Sequence, residues 1–211
     1  MFKIIISLIC SSLLFCSPPS IVDRSVSFTR NSAPNIPYAS GLILEDGTIL
    51  TAFHAVIGNE KEIRIRTEDK KLEEVEILYM EFLLDLALLK PKNIKLSSPP
   101  FSSKAREDLH PGEEIYIFGS PYGLDHSYQT GYISHTNRLG VDPTYPQIPF
   151  IQTFGLSDPG TSGSGVFTKN GEFIGIQRSH LGYQTGGNSG LVIPSGFINV
   201  FLKKAREKVF P

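Results

Sequence analysis

Short stretches of alternating apolar and polar residues, separated by turn sequences, recur along most of this chain. At 63–66 isoleucine alternates with arginine, and at 74–79 apolar residues alternate largely with glutamate. A period of two places successive side chains on opposite faces of a strand, so these stretches predict half-buried β-strands. Glu45-Asp46-Gly47 and Asn170-Gly171 stand between such stretches, and both favour tight hairpin turns. The pattern predicts an all-β fold built from many short strands.

Two segments depart from this pattern. Residues 83–89 are apolar except for Asp85, which predicts a largely buried strand whose carboxylate must be paired, because an unpaired buried charge is very costly. The tail from about 195 to 208 has apolar residues at helical spacing and predicts a C-terminal helix. The chain of 211 residues also carries 19 Gly and 15 Pro, a content that favours turns and short strands over further helices.

The first sixteen residues predict a targeting segment. Lys3 precedes a short apolar run, and Leu13-Leu14-Phe15-Cys16 resembles a bacterial lipobox, in which the cysteine becomes the lipidated mature N-terminus. We therefore expect a lipoprotein-type signal peptide at 1–16 with lipidation at Cys16, the alternatives being ordinary secretion or an uncleaved anchor. Residues 17–37 predict a tether with some N-terminal pairing. Since Cys10 and Cys16 are the chain's two cysteines, we expect a domain without disulfides.

One serine stands in a setting that predicts catalysis. Ser162 lies within the glycine-rich hexapeptide 160–165, and His54 and Asp85 precede it in the chain. A serine hydroxyl is a weak nucleophile until an imidazole accepts its proton and a carboxylate holds that imidazole in the correct tautomer. The order His, Asp, Ser is the one used by chymotrypsin-type proteases. These residues predict a serine endopeptidase.

Several sequence blocks resemble the HtrA/Deg branch of the trypsin-like serine proteases, between about residues 40 and 195. They are Ser40–Leu44, Leu50–Val56, Asp85–Lys90, Phe118–Leu124, Phe150–Thr153, Asp158–Gly163, Gly175-Ile176 and Ser189–Ser195. The resemblance implies two antiparallel six-stranded β-barrels with the catalytic residues at their junction. It places the domain at 38–211, with barrel 1 at about 38–100, barrel 2 at about 111–194 and the helix at about 195–208. The chain departs from the family in one respect: HtrA proteins usually carry a PDZ domain, and because none follows Pro211 we expect a protease without one.

The resemblance assigns roles residue by residue. Ser162 aligns with the nucleophile, His54 with the general base and Asp85 with the residue that orients it. The backbone N–H groups of Gly160 and Ser162 would form the oxyanion hole. The S1 pocket would be built from residues just before the Gly-x-Ser motif and from the strand that follows the next hairpin: Phe154, Leu156, Ile176, Gln177 and Arg178.

Specificity follows from the character of that wall. Because no acidic residue stands at the expected base of the pocket, a preference for Lys or Arg at P1 is disfavoured, and the apolar wall favours an aliphatic P1. Arg178 or His180 would instead attract an acidic P1, as in glutamyl endopeptidases, and this alternative stays open. The histidines show no metal-ligand spacing with Cys or carboxylates, so we expect neither a metal nor a cofactor.

The expected function is hydrolysis of peptide bonds in unfolded or exported proteins. The rival interpretation is a catalytically silent trypsin-like fold that serves as a surface binding or adhesion module. Polypeptides are the expected partners, and the formal charge of −1 gives no support for nucleic acid. We expect a location in the bacterial cell envelope, periplasmic or attached to the membrane through the lipid anchor alone, or else at the surface or secreted. The resemblance allows a trimer, while the sequence leaves the oligomeric state open.

Overall fold

The strands pair into two closed antiparallel barrels of six strands each. The computed structural model describes residues 24–181 and 188–209, and for residues 179–181 it describes the backbone alone. The first barrel contains β1 (Ser25–Arg30), β2 (Ala39–Ile43), β3 (Ile49–Ala52), β4 (Ile63–Arg66), β5 (Leu72–Glu81) and β6 (Leu86–Pro91), closing in the order β1-β2-β3-β6-β5-β4. The second contains β7 (Glu114–Gly119), β8 (Ser127–Arg138), β9 (Phe150–Phe154), β10 (Gly165–Thr168), β11 (Phe173–Leu181) and β12 (Ser189–Pro194), closing in the order β10-β11-β12-β9-β8-β7. The predicted two-barrel, all-β fold is confirmed.

Two helices and three short 3₁₀ turns complete the described structure. Helix α1 (Phe53–Val56) follows β3 directly, helix α2 (Ser195–Val209) follows β12, and the 3₁₀ turns span Phe82–Leu84, Arg106–Asp108 and Pro121–Gly123. Helix α2 buries Ile198, Phe201 and Ala205, and the ring centroid of Phe201 lies 5.4 Å from that of Tyr79 on β5. The helix packs against strands of both barrels and thereby braces their relative position.

The hairpins predicted from turn sequences form as expected. Strands β2 and β3 pair antiparallel across 45–47, where Gly47 has a φ of +80° and Asp46 Oδ1 accepts the backbone N–H of Thr48. Strands β10 and β11 pair across Asn170-Gly171, with Gly171 at a φ of +81°. In both turns the glycine occupies the left-handed region, which other residues enter only with strain.

The segment 17–37, predicted as a tether with some pairing, contributes a complete strand of the first barrel. Strand β1 pairs with both β2 and β4. Val26 and Phe28 point into the barrel core, while Ser27 and Thr29 on the other face are also buried. The first barrel therefore starts at Ser25, ahead of residue 38. Ser27 is polar yet buried, and its hydroxyl lies 2.6 Å from that of Ser120 near the second barrel, so the strand could not be predicted from an alternating apolar pattern.

The predicted buried strand at 83–89 begins only after Asp85. Phe82–Leu84 forms a 3₁₀ turn, and Asp85 adopts the left-handed conformation with a φ of +53° before β6 starts at Leu86. The prediction is wrong for residues 83–85, where an apolar sequence led into a turn. That turn presents the Asp85 carboxylate at the end of the barrel.

The interface between the barrels is apolar. One buried cluster joins Leu42, Leu50 and Leu86 of the first barrel to Phe150 and Phe167 of the second. Separate clusters fill the interior of each barrel. Because the interface is packed like a domain core, the two barrels hold a fixed relation, and residues from each can be placed at one site.

The predicted signal peptide, with Cys16, lies outside the described residues. Across 24–181 and 188–209, neither helix has the length and apolar character needed to cross a bilayer.

Candidate active site

His54 lies in helix α1, at the end of the first barrel, and backbone contacts with Asp85 hold it there. The N–H of Phe53 donates to the Asp85 carbonyl (2.9 Å), and the N–H of His54 donates to Asp85 Oδ1 (3.0 Å). These bonds fasten α1 to the turn before β6. The His54 side chain is 40% exposed, so the imidazole remains accessible to solvent.

The side chains of His54 and Asp85 form a direct pair. His54 Nδ1 lies 2.8 Å from Asp85 Oδ2 and 3.1 Å from Oδ1, and the carboxylate is fully buried. An ionised carboxylate only accepts hydrogen bonds, so Nδ1 carries the hydrogen and Nε2 is the nitrogen left to accept a proton. The structure thus brings together two of the three predicted catalytic residues in the tautomer that general-base catalysis needs.

Ser162 lies at the edge of the second barrel on a loop that touches the first. Its carbonyl accepts the N–H of Ser40 (2.8 Å), and the N–H of Gly163 donates to the Gln177 carbonyl (2.8 Å). Gly163 has a φ of +90°, and a Cβ there would stand 2.0 Å from the Ser40 carbonyl oxygen. The glycine after the nucleophile is therefore required both by its backbone conformation and by the close approach of β2.

Two hydrogen bonds hold the Pro159–Gly160 peptide and the Gly160 carbonyl in one orientation. The Pro159 carbonyl accepts the N–H of Tyr122 (2.7 Å), which turns the N–H of Gly160 to the opposite side of that peptide. The Gly160 carbonyl accepts the hydroxyl of Ser40 (2.8 Å). Among the described residues, the amides of Gly160 and Ser162 have no acceptor. Two such free donors on one turn can stabilise a negatively charged oxygen.

His54 and Ser162 line one cavity at the barrel junction. It has a volume of about 350 Å³, and its walls include Gly160, Arg30 and Tyr38. The Ser162 hydroxyl donates to the Arg178 carbonyl at 3.0 Å. The nucleophile candidate thus faces the same space as His54 while its hydrogen is engaged with β11.

The predicted S1 residues take different positions. Leu156 and Ile176 are fully buried within separate apolar clusters, and Gln177 is buried on β11. Phe154, at the end of β9, is 53% exposed. The guanidinium of Arg178 points to acidic groups beside His54. The side chain of His180 lies outside the described part of the chain.

The sequence did not predict the contacts that Ser40 and Arg178 make at the site. Ser40 ties the serine loop to the first barrel through its N–H and its hydroxyl. Arg178 Nε lies 3.1 Å from Asp85 Oδ2, and its Nη1 lies 2.5 Å from Asp142 Oδ2. The sequence holds no signal for either contact, because each joins residues from distant segments.

Within 24–181 and 188–209, His, Cys, Asp and Glu form no group of three arranged to hold a metal ion.

Two six-stranded barrels, with a histidine–carboxylate pair and a glycine-framed serine at their junction, define the trypsin-like architecture. The chain belongs to the family of the trypsin-like peptidase domain, whose model matches residues 39–176. The resemblance identified from the sequence blocks is confirmed.

Curated relatives carry names from the HtrA/Deg branch. The chain is 39% identical over 153 residues to a "Probable periplasmic serine endoprotease DegP-like" of Halomonas elongata, which covers 72% of this chain and 31% of that protein. A protein of the same name from Pseudomonas putida is 37% identical over 153 residues, with the same coverage of each chain. "Serine protease HTRA1" of Xenopus tropicalis is 32% identical over 187 residues, 88% of this chain and 39% of that protein. The chain spans about a third of the length of the first two relatives.

Proposed function

We propose that this protein is a serine endopeptidase with His54, Asp85 and Ser162 as its catalytic triad. The observation that carries the proposal is the pairing of His54 Nδ1 with the buried Asp85 carboxylate at 2.8 Å, in a cavity that Ser162 shares. The printed names of the relatives, serine endoprotease and serine protease, agree with this activity.

The reaction would proceed through an acyl-enzyme. Rotation of the Ser162 side chain away from the Arg178 carbonyl brings its hydroxyl toward His54 Nε2, which takes the proton as Oγ attacks the scissile carbonyl carbon. The electron pair of the C=O bond moves to the oxygen, where the amides of Gly160 and Ser162 receive the charge. Collapse of this intermediate breaks the C–N bond, and His54 returns the proton to the leaving amine. Water, activated by the same histidine, then releases the acid product.

The orientation of the Gly160 amide would matter most for rate. Loss of one oxyanion-hole donor typically costs about 2.7–4 kcal/mol of transition-state stabilisation. The Tyr122 N–H and the Ser40 hydroxyl hold the carbonyls on either side of the Gly160 amide, which supports a hole that is formed before substrate arrives. Preorganised donors need no rearrangement as the charge develops.

We expect an aliphatic P1 residue to be preferred. The positive charge of Arg178 already faces two carboxylates, so it has little capacity left to attract an acidic P1 side chain. The glutamyl-endopeptidase alternative would then depend on another cation. For substrates, we propose unfolded or exported proteins in the cell envelope, a setting that agrees with the word periplasmic in the names of two relatives.

The test uses covalent labelling of the purified protein with a fluorophosphonate, mapped by mass spectrometry. We expect an adduct on Ser162, lost in Ser162→Ala and in His54→Ala. The matched control is Ser164→Ala, two residues along the same loop: Ser164 is fully buried, and its hydroxyl has no hydrogen-bond partner among the described residues. This variant should label like the parent protein.

Cleavage of an unfolded protein substrate, followed by peptides that differ at P1, then tests the reaction and its specificity. Faster turnover with Val or Ile than with Glu supports the aliphatic preference, and the reverse order establishes the acidic alternative. A folded protein that neither labels nor cleaves would overturn the proposal in favour of a silent binding module.

A further inference from the structure

Arg178 contacts both the Ser162 hydroxyl and the carboxylate that pairs with His54. It belongs to β11, and its carbonyl accepts the hydroxyl of Ser162 (3.0 Å). Its side chain is only 14% exposed, and the guanidinium carbon lies 4.6 Å from the centre of the Tyr145 ring. A residue that touches the nucleophile through its backbone therefore also places a buried positive charge beside the triad.

The Arg178 guanidinium and the His54 imidazole both lie beside the same oxygen of Asp85. Asp85 Oδ2 lies 2.8 Å from His54 Nδ1 and 3.1 Å from Arg178 Nε. The two nitrogens are therefore at most about 6 Å apart, and the same buried carboxylate oxygen lies within ion-pair distance of each. At such a separation a like charge disfavours the protonated form of an imidazole.

A second carboxylate, that of Asp142, forms an ion pair with Arg178. Asp142, on the connection between β8 and β9, places its Oδ2 2.5 Å from Arg178 Nη1, and it is buried. Tyr145, on the same connection, also faces Asp85, and Arg30, Tyr38 and Asp158 line the cavity that His54 shares. Burial first, and then the Asp85 carboxylate, raise the pKa of Tyr145, so its phenol stays neutral from pH 5 to pH 9.

We infer that Arg178 and Asp142 act as positioning residues that set the proton affinity of His54 through Asp85. The positive charge of Arg178, beside the Asp85 carboxylate, disfavours a second positive charge on the His54 imidazole. The negative charge of Asp142 offsets part of that effect. The pair fixes the carboxylate in place and makes His54 competent as a base at lower pH than Asp85 alone would allow. The inference depends on the proposed function only where it assigns His54 as the base.

The test follows the ring resonances of His54 by NMR across pH 5–9, in the full chain with Ser162→Ala to prevent self-cleavage. His54→Ala assigns the signal among the five histidines. We expect Arg178→Gln to raise the titration midpoint of His54 by about one pH unit, because the opposing charge is gone. Asp142→Asn should lower the midpoint by roughly half a pH unit, since the arginine is then less neutralised.

The control is Arg64→Gln, which removes another partly buried arginine, paired with Glu74 on the far side of the first barrel. Its midpoint should equal that of the parent. A purely structural role for Arg178 and Asp142 would loosen the site in both variants and move the midpoint in one direction or not at all. Shifts of opposite sign support the inference; shifts of the same sign, or below about 0.2 pH unit in both, overturn it.

Asp142→Asn keeps the test decisive if Arg178→Gln does not fold, because a lowered midpoint supports the inference and an unchanged or raised one overturns it. The titration needs no turnover, so it separates the two proposals. A protein that fails to cleave or label but shows the opposed shifts retains the inference and loses the proposed function. In the active protein, the acidic limb of the pH profile of kcat/KM should shift with the NMR midpoint.

Discussion

Replacing Ser40 with alanine tests whether the first barrel holds the loop of the proposed oxyanion hole in shape. The hydroxyl of Ser40 donates to the Gly160 carbonyl at 2.8 Å and accepts the N–H of Ser120 at 3.0 Å. Ser40 is fully buried and Ser120 is 1% exposed, so water cannot replace the lost partner. A buried amide left without an acceptor costs about 1–3 kcal/mol.

A central cost of about 2 kcal/mol for Ser40→Ala corresponds to a Tm lowered by about 4–8 °C, since 1 kcal/mol shifts the Tm of a domain of this size by roughly 2–4 °C. The rate should fall as well. The Gly160 carbonyl loses its anchor, while the Pro159 carbonyl keeps its bond to the Tyr122 N–H. We expect kcat to drop by about tenfold, less than the roughly 10²–10³-fold typical when a donor of the hole is removed outright.

Thermal unfolding and steady-state kinetics on a peptide substrate measure both effects of Ser40→Ala. Ser98→Ala is the matched control, because Ser98 is also buried but its hydroxyl only donates to the adjacent Pro99 carbonyl. It should shift Tm by less than about 2 °C. A Ser40→Ala protein with the Tm and kcat of the Ser98→Ala control would refute the reasoning that this hydroxyl supports the loop.

Two further predictions concern stability. Gly163→Ala should prevent folding, because its Cβ would stand 2.0 Å from the Ser40 carbonyl oxygen. Gly112→Ala, with a similar φ of +91° and open space around it, should cost only about 1–2 kcal/mol of backbone strain. Similar circular dichroism melts for the two variants would contradict this. Burial raises the pKa of Tyr38 to about 12, so its folded state keeps the phenolic proton after the unfolded chain has lost it near pH 10. Stability should therefore be intact below about pH 10 and decline as the pH rises toward 12, and Tyr38→Phe should make that decline, measured by urea unfolding at pH 9 and pH 11, less steep. An equal decline in both proteins would show that other groups cause it.

Local patterns were sufficient for much of the fold. Hairpins at 45–47 and 170–171 follow from glycine in positions that demand a positive φ, and the alternating stretches at 63–66 and 74–79 fall on β4 and β5. These features depend on a few neighbouring residues, so the sequence carries them directly. The boundaries of β1 and β6 were harder to predict from the sequence. Ser27, on the polar face of β1, is buried beside Ser120 near the other barrel. The apolar residues before Asp85 form a turn, and this turn places the carboxylate where the His54 N–H of α1 donates to it.

The sequence by itself determined which residues could perform the chemistry: a serine framed by glycines, with a histidine and an aspartate upstream in the trypsin-like order. Only the tertiary structure decided how they are held. Ser40 of the first barrel fixes the serine loop of the second, and Arg178 lies within ion-pair distance of both Asp142 and the Asp85 carboxylate that pairs with His54. These contacts join residues far apart in the chain, and their energies depend on burial, which exists only once the two barrels have packed together.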